Sequence, residues 1–238
     1  MQRNINSLTG YSMVATDGEI GNIIEFYFDD ETWFLRYMVL KTGDWLSGRK
    51  ILISPDALKK TSWKTGLFSV NITKEQIRDS PVINTDKPVY RTQEIELYAH
   101  YDWERDWGNQ FYEGGSMGKS NPLPVRDTEI LSAAEKADIR LNDSLHLRST
   151  AKILNFRIHG ADGEIGSLVD LVMDDQSWQI LFLIVEIQHL PGEKKTLIAI
   201  AHIQHIDWDK AIIFLSITAS AVKTSKLFNE LEFQPAKF

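Results

Sequence analysis

The sequence of 238 residues predicts an all-β fold, arranged as two tandem small β-barrels joined by a long, partly helical linker. Three observations predict it. One stretch of about seventy residues occurs twice, which calls for two similar domains rather than a solenoid of many short repeats. Each copy alternates apolar and polar residues with the period of two that a half-buried strand requires. Its strands are short and divided by tight-turn signals, and closing such a sheet removes its aggregation-prone edges.

The repeat is read directly from the chain. Ala15 to Trp33 (ATDGEIGNIIEFYFDDETW) recurs as Gly160 to Trp178 (GADGEIGSLVDLVMDDQSW), an offset of 145 that holds from about residue 10 to residue 80. Asp17-Gly18-Glu19-Ile20-Gly21 match Asp162-Gly163-Glu164-Ile165-Gly166, and Asp29, Asp30 and Trp33 match Asp174, Asp175 and Trp178. Further along, Lys50, Leu52, Ile53, Trp63, Ile72, Thr73 and Ser80 match Lys195, Leu197, Ile198, Trp208, Ile217, Thr218 and Ser225. The expected units are residues 1–80 and 148–225, with a linker at 81–147 and a tail at 226–238.

Within a unit, Asp17-Gly18 predicts a type I′ hairpin turn, since both residue types tolerate positive φ. A strand follows from Glu19 to about Phe28, with Ile20, Ile24, Phe26 and Phe28 on its apolar face. Asp29 to Thr32 is a turn whose side chains bond their own backbone. Trp33–Lys41 (WFLRYMVLK) and Trp178–Glu186 (WQILFLIVE) are apolar on both faces, as for strands at a sheet centre or an interface. Shorter strands are expected near Ile51–Ser54 and Leu67–Ile72, with twins at Thr196–Ala199 and Ile212–Ile217. Thr73 and Thr218 then cap a helical turn.

In the linker, Thr92 to Tyr101 predicts a short helix with Ile95, Tyr98 and Tyr101 on one side. It opens an aromatic cluster of Tyr98, Tyr101, Trp103, Trp107, Phe111 and Tyr112. Gly114 to Pro122 reads as a loop.

Composition narrows the function classes. The chain has no cysteine, which excludes disulfides and thiolate chemistry and fits a reducing compartment. No apolar run reaches the length of a membrane span, and the start has no signal-peptide pattern, so a soluble, cytoplasmic protein is expected. Net charge is −7, and residues 81–147 hold twelve Asp/Glu against seven Lys/Arg. An acidic chain gives no electrostatic reason to bind nucleic acid.

The strings DGEIG and DDETW, a hydrophobic strand and then TGDWLSGRKILISP (Thr42 to Pro55) resemble the PRC-barrel family. That family includes the cytoplasmic domain of the photosynthetic reaction centre H subunit and the C-terminal domain of a ribosome maturation factor. Pro88 to Trp103 and Leu145 to Phe156 resemble the linker and second entry of two-copy bacterial members. The resemblance implies small barrels used for docking and assembly, with no established catalytic residues. The second copy departs at Leu197–Ile203 and lacks the Trp45 and Gly48 of the first copy's loop.

No catalytic, cofactor or metal residue is assigned from the sequence. Asp17, Glu19, Asp29 and Asp30 are either turn residues or ligands for a hard cation; no EF-hand spacing accompanies them, which favours turn chemistry. His159, His189, His202 and His205 have no histidine at the twin positions in the first copy, and surface or core roles outweigh zinc. No G-x-S-x-G, P-loop or Rossmann glycine pattern occurs. The candidate interface residues are Trp33, Trp178, Tyr98, Tyr101, Trp103 and Trp107, because Trp and Tyr dominate binding hot spots. Arg49, Lys50, Lys194 and Lys195 join them as cationic pairs at matching places, whose alternative role is guarding a strand edge. The expected function is a non-enzymatic binding or assembly module with a protein partner, and self-association is consistent with it. The rival is a regulator that binds a small ligand or metal ion.

Overall fold

The computed structural model describes residues 1–82, 89, 91–103, 146–188, 194–223 and 228. Trp107, His189, the expected loop at 114–122 and most of the linker and tail lie outside the described residues. The described chain is mostly β, in two seven-stranded sheets.

The first sheet is built from β2 (Ser12–Ala15), β3 (Gly18–Asp29), β4 (Leu35–Thr42), β5 (Lys50–Ile53), β6 (Leu58–Ser62) and β7 (Leu67–Val70), in the order β5-β4-β3-β2-β7-β6. The second is built from β9 (Arg157–Gly160), β10 (Gly163–Asp174), β11 (Ile180–Ile187), β12 (Lys195–Ala199), β13 (Ile203–Asp207) and β14 (Ile212–Leu215), in the order β12-β11-β10-β9-β14-β13. Registers agree at the 145-residue offset: Gly21 faces Thr42 and Gly166 faces Ile187, while β2·β7 and β9·β14 are the parallel pairs. Among the described residues no ladder joins β5 to β6 or β12 to β13. The expected closure of each sheet is therefore not made by hydrogen bonds. The chain passes from β5 to β6 through a 3-10 turn, Pro55–Ala57.

The seventh strand of each sheet comes from the start of the other half. β1 (Gln2–Asn4) pairs with β10, and β8 (Leu147–Ser149) pairs with β3. At the 145-residue offset these are twins, and so are their registers: Arg3 faces Met173, and Arg148 faces Phe28. The exchange continues after each short strand. Ile5 donates from its amide to the Leu171 carbonyl, and the Thr150 hydroxyl both accepts from the Phe26 amide and donates to its carbonyl.

Strict alternation fails midway along each long strand: a bulge between Ile23 and Glu25 turns Ile23 inward and leaves Ile24, expected on the apolar face, half-buried, and Leu168 and Val169 repeat this in the second copy. Ile20, Ile23, Phe26 and Phe28 of β3 are fully buried, as are Ile165, Leu168, Leu171 and Met173 of β10. Each such side chain contributes about 2 kcal/mol by leaving water. The core cluster runs through both sheets.

Two other local expectations are corrected. The turn before β3 is not a type I′ turn on Asp17-Gly18: Ala15 pairs with Gly18, so the loop is Thr16-Asp17, and Gly18 takes φ +137° as it opens the strand. Asp17 accepts at Oδ1 from the Lys74 amide, which fixes the turn against α1 (Lys74–Arg78). Thr73 caps α1 through a full capping box with Gln76, as its sequence predicts. In α2 (Arg91–Tyr101) the buried face is Glu94, Leu97, Tyr98 and Tyr101, with Ile95 only half-buried. Glu94 takes the first place on that face because it meets Tyr37 of β4.

The Gly66 turn shows how the copies diverged. Gly66 has φ +63°, and its twin Ala211 sits at φ +55°. A left-handed conformation costs an L-residue about 1–2 kcal/mol, which glycine avoids. Ala211→Gly is expected to stabilise the protein by about 1 kcal/mol, read as a higher denaturant midpoint with an unchanged m-value.

Candidate docking groove at the joint between the two sheets

The two halves meet at the turns that precede β4 and β11. Asp29 accepts at Oδ1 from the Glu31 and Thr32 amides, and Asp174 does the same from Gln176 and Ser177. Each turn ends on a tryptophan with positive φ, Trp33 at +62° and Trp178 at +58°. Bulky residues rarely hold that conformation, and a strained site persists only when its surroundings over-determine it. Here the conformation aims both carbonyls across the joint. Trp33 O accepts from the Ile180 amide at 2.7 Å, Trp178 O accepts from the Leu35 amide at 2.8 Å, and Phe34 and Gln179 form an antiparallel bridge. Trp33 is buried against Phe28, and Trp178 packs on Trp63 and Phe68 of the first sheet.

An arginine clasps each side. Arg3 Nε donates to Asp175 at 2.7 Å and its guanidinium lies 4.2 Å over Trp63. Arg148 Nε donates to Asp30 at 2.9 Å and lies 4.5 Å over Trp208. Each arginine thus bonds one half electrostatically and stacks on the other, a use suited to its planar cation. The sequence reading missed both. Their identity at the 145-residue offset was the available signal, outside the stretch in which the repeat was traced.

The two sides are not equal. Arg3 is 7% exposed and its Nη2 rests 4.0 Å from Met1 Sδ. Arg148 is 29% exposed and lines a groove of about 770 Å³. One wall of the groove is the Asp30–Trp33 turn with His146 and Arg148; the other is Ile200, Ala201, the run from Ile203 to Ile206, and Trp208. His146 lies between carboxylates, Nδ1 at 3.2 Å from Asp30 and Nε2 at 3.2 Å from Glu31.

The other candidate residues fall in three places. Tyr98 and Tyr101 are buried, and Trp103 is half-buried; Tyr98 meets Tyr37 edge-on, while Trp103 stacks on Tyr101. These rings pack α2 onto the first sheet and do not line the groove. Arg49 donates to the carbonyls of Arg78, Ser80 and Pro81, so it holds the end of α1. Lys50 faces Lys41 in its ladder and Lys195 faces Glu186, and neither they nor Lys194 border the groove. The four acids serve local structure: Asp17 holds α1, Asp29 the turn and Asp30 Arg148, while Glu19 pairs with Val14 in the β2·β3 ladder. Among the described residues no three His, Asp or Glu side chains converge as a metal site.

Burial raises the phenol pKa values near α2. Tyr37 is pushed well above the usual tyrosine range, first by burial and then by the Glu94 carboxylate; burial also raises Tyr98 and Tyr101. The folded state therefore holds these protons after the unfolded chain has released them. Stability is unaffected below about pH 10 and falls as pH rises past it. An equilibrium unfolding series from pH 8 to 11.5 is expected to show that loss, and Tyr37→Phe to lessen it.

A scan of protein-family models finds no match to this chain, and a search of curated proteins finds none either. Among the described residues, no helix is long and apolar enough to cross a membrane.

Proposed function

We propose that this protein is a docking module built of two PRC-type units, which holds a protein partner and performs no catalysis. The observation that carries the reading is the groove at the joint. It combines Ile200, Ile203 and Ile206 with an arginine stacked on Trp208, and Trp and Arg dominate binding hot spots. Its charged groups face one another, Arg148 on Asp30 and His146 between Asp30 and Glu31. Such pairing anchors β8 to the turn, and it supports a recognition surface over a poised acid and base.

The second reading is a regulator that binds a small ligand or metal ion. The groove's volume favours it, because small-molecule sites commonly enclose about 300–1,000 Å³. The two separate in one comparison. Affinity capture from native extract with the full chain is expected to retain a protein that Trp208→Ala loses, provided the variant keeps its melting temperature within a few degrees. A rise in melting temperature with dialysed-in metal ions or a metabolite panel, and no retained protein, assigns the groove to a small ligand instead.

A further inference from the structure

The groove runs along a strand edge. Ile203, Gln204, His205 and Ile206 are consecutive, and all line it. Successive side chains of a strand point to opposite faces, so a cavity on one face meets alternate residues only. The bulge between Ile203 and His205 breaks that alternation, so the run of four shows that β13 forms one wall of the groove. Among the described residues β13 has a ladder on one side, with β14, and ends the sheet on the other.

The twin edge shows what a guarded one looks like. β6 ends the first sheet and carries exposed Lys59 and Lys60 where β13 carries exposed Gln204 and His205. Lysine on an edge strand deters a further strand from pairing. The second copy has the matching edge without the two lysines. Beside that edge, Arg148 is bound through Nε, and among the described residues its Nη nitrogens are left to the groove. The bulge at Gln204 limits the regular edge to His205–Asp207. Three residues suffice for an added strand in this fold, because β1 and β8 each pair over three.

We propose that β13 is an acceptor edge for an extended peptide segment of a partner protein. Its backbone pairs with His205–Asp207, its apolar side chain meets Ile203 and Trp208, and its carboxylate meets the Nη pair of Arg148. Strand addition of this kind draws affinity from main-chain hydrogen bonds and specificity from alternate side chains. The carboxylate supplies the charge that an arginine fork recognises. This inference rests on the docking reading and names the class of partner.

The probe is a random nine-residue peptide library, displayed on phage and selected against the full chain. Selected peptides are expected to alternate apolar and polar residues around one Asp or Glu, and to slow amide exchange at His205–Asp207. N-methylation at alternate residues abolishes their binding. Gln204→Lys with His205→Lys weakens it at least tenfold, as does Gln204→Lys alone if loss of the His205–Phe214 stack unfolds the double variant. Lys59→Gln with Lys60→His leaves it unchanged. No enriched peptide, binding insensitive to the introduced lysines, or binding without protection of His205–Asp207 overturns the proposal. Concentration-dependent dimerisation that protects the same amides also overturns it, by assigning the edge to a second copy. A native partner captured equally by the lysine variant leaves the docking reading standing while this inference falls. Peptides that bind the edge when no native protein is captured give the reverse.

Discussion

Gly166→Ala is expected to destabilise the protein by more than about 4 kcal/mol, a loss reached only by a short list of mechanisms. A Cβ built on Gly166 would lie 1.8 Å from the Glu186 carbonyl oxygen, and one on Gly21 would lie 2.1 Å from that of Lys41. Both obstacles are backbone in the adjacent strand, so no side-chain rotation relieves them. Gly21 also holds φ +154°, a conformation that side chains rarely adopt. The second glycine of each DGEIG string is thus where β3 passes close over β4, and β10 over β11. For a chain of this size, 1 kcal/mol corresponds to about 2–4 °C, so the melting temperature should fall by roughly 10 °C or more. A Gly166→Ala variant melting within about 2 °C of the parent would show that the two strands do not approach this closely.

Arg3→Met is expected to cost about 2–4 kcal/mol, because buried Asp175 loses its guanidinium partner and keeps only the exposed Met1 ammonium. Both side chains are 7% exposed. Arg148→Met should cost less, about 1–2 kcal/mol, since Arg148 is 29% exposed and water can partly solvate Asp30 once the guanidinium is gone. Arg3→Met combined with Asp175→Leu should recover most of the loss, because apolar replacement of both partners removes the stranded charge. Denaturant unfolding of Arg3→Met, Asp175→Leu and the double variant gives the coupling directly. A double variant as unstable as Arg3→Met alone would mean that the cost comes from the Arg3–Trp63 stack and not from the ion pair.

Much of the secondary structure was legible because strand periodicity is local. The runs around Ile20–Phe28 and Ile180–Ile187 carry their pattern in consecutive residues, and both are strands. The Thr73 cap was legible for the same reason. β6 and β13 were not, since Leu58-Lys-Lys-Thr-Ser and Ile203-Gln-His-Ile-Asp are polar at the edge and show no clean alternation. The aromatic cluster identified residues that bury surface, yet composition could not say against what. Tyr98 proved to meet Tyr37 of β4 and Tyr101 to stack on Trp103, while Trp208, which carries the groove's stacked arginine, drew notice only as a repeat identity.

The sequence alone determined the β character of the chain, the correspondence of its two halves and the turns at Asp29 and Asp174, because each is written in short-range periodicity or in direct self-comparison. Tertiary structure alone decided that β1 and β8 cross to the opposite halves, and so where the groove lies. β3 and β10 offer a three-residue strand nearly the same edge, so local pattern does not distinguish pairing within a half from pairing across. The choice is made by contacts distant in sequence, Arg3 with Asp175 and Arg148 with Asp30, which exist only once both sheets have met.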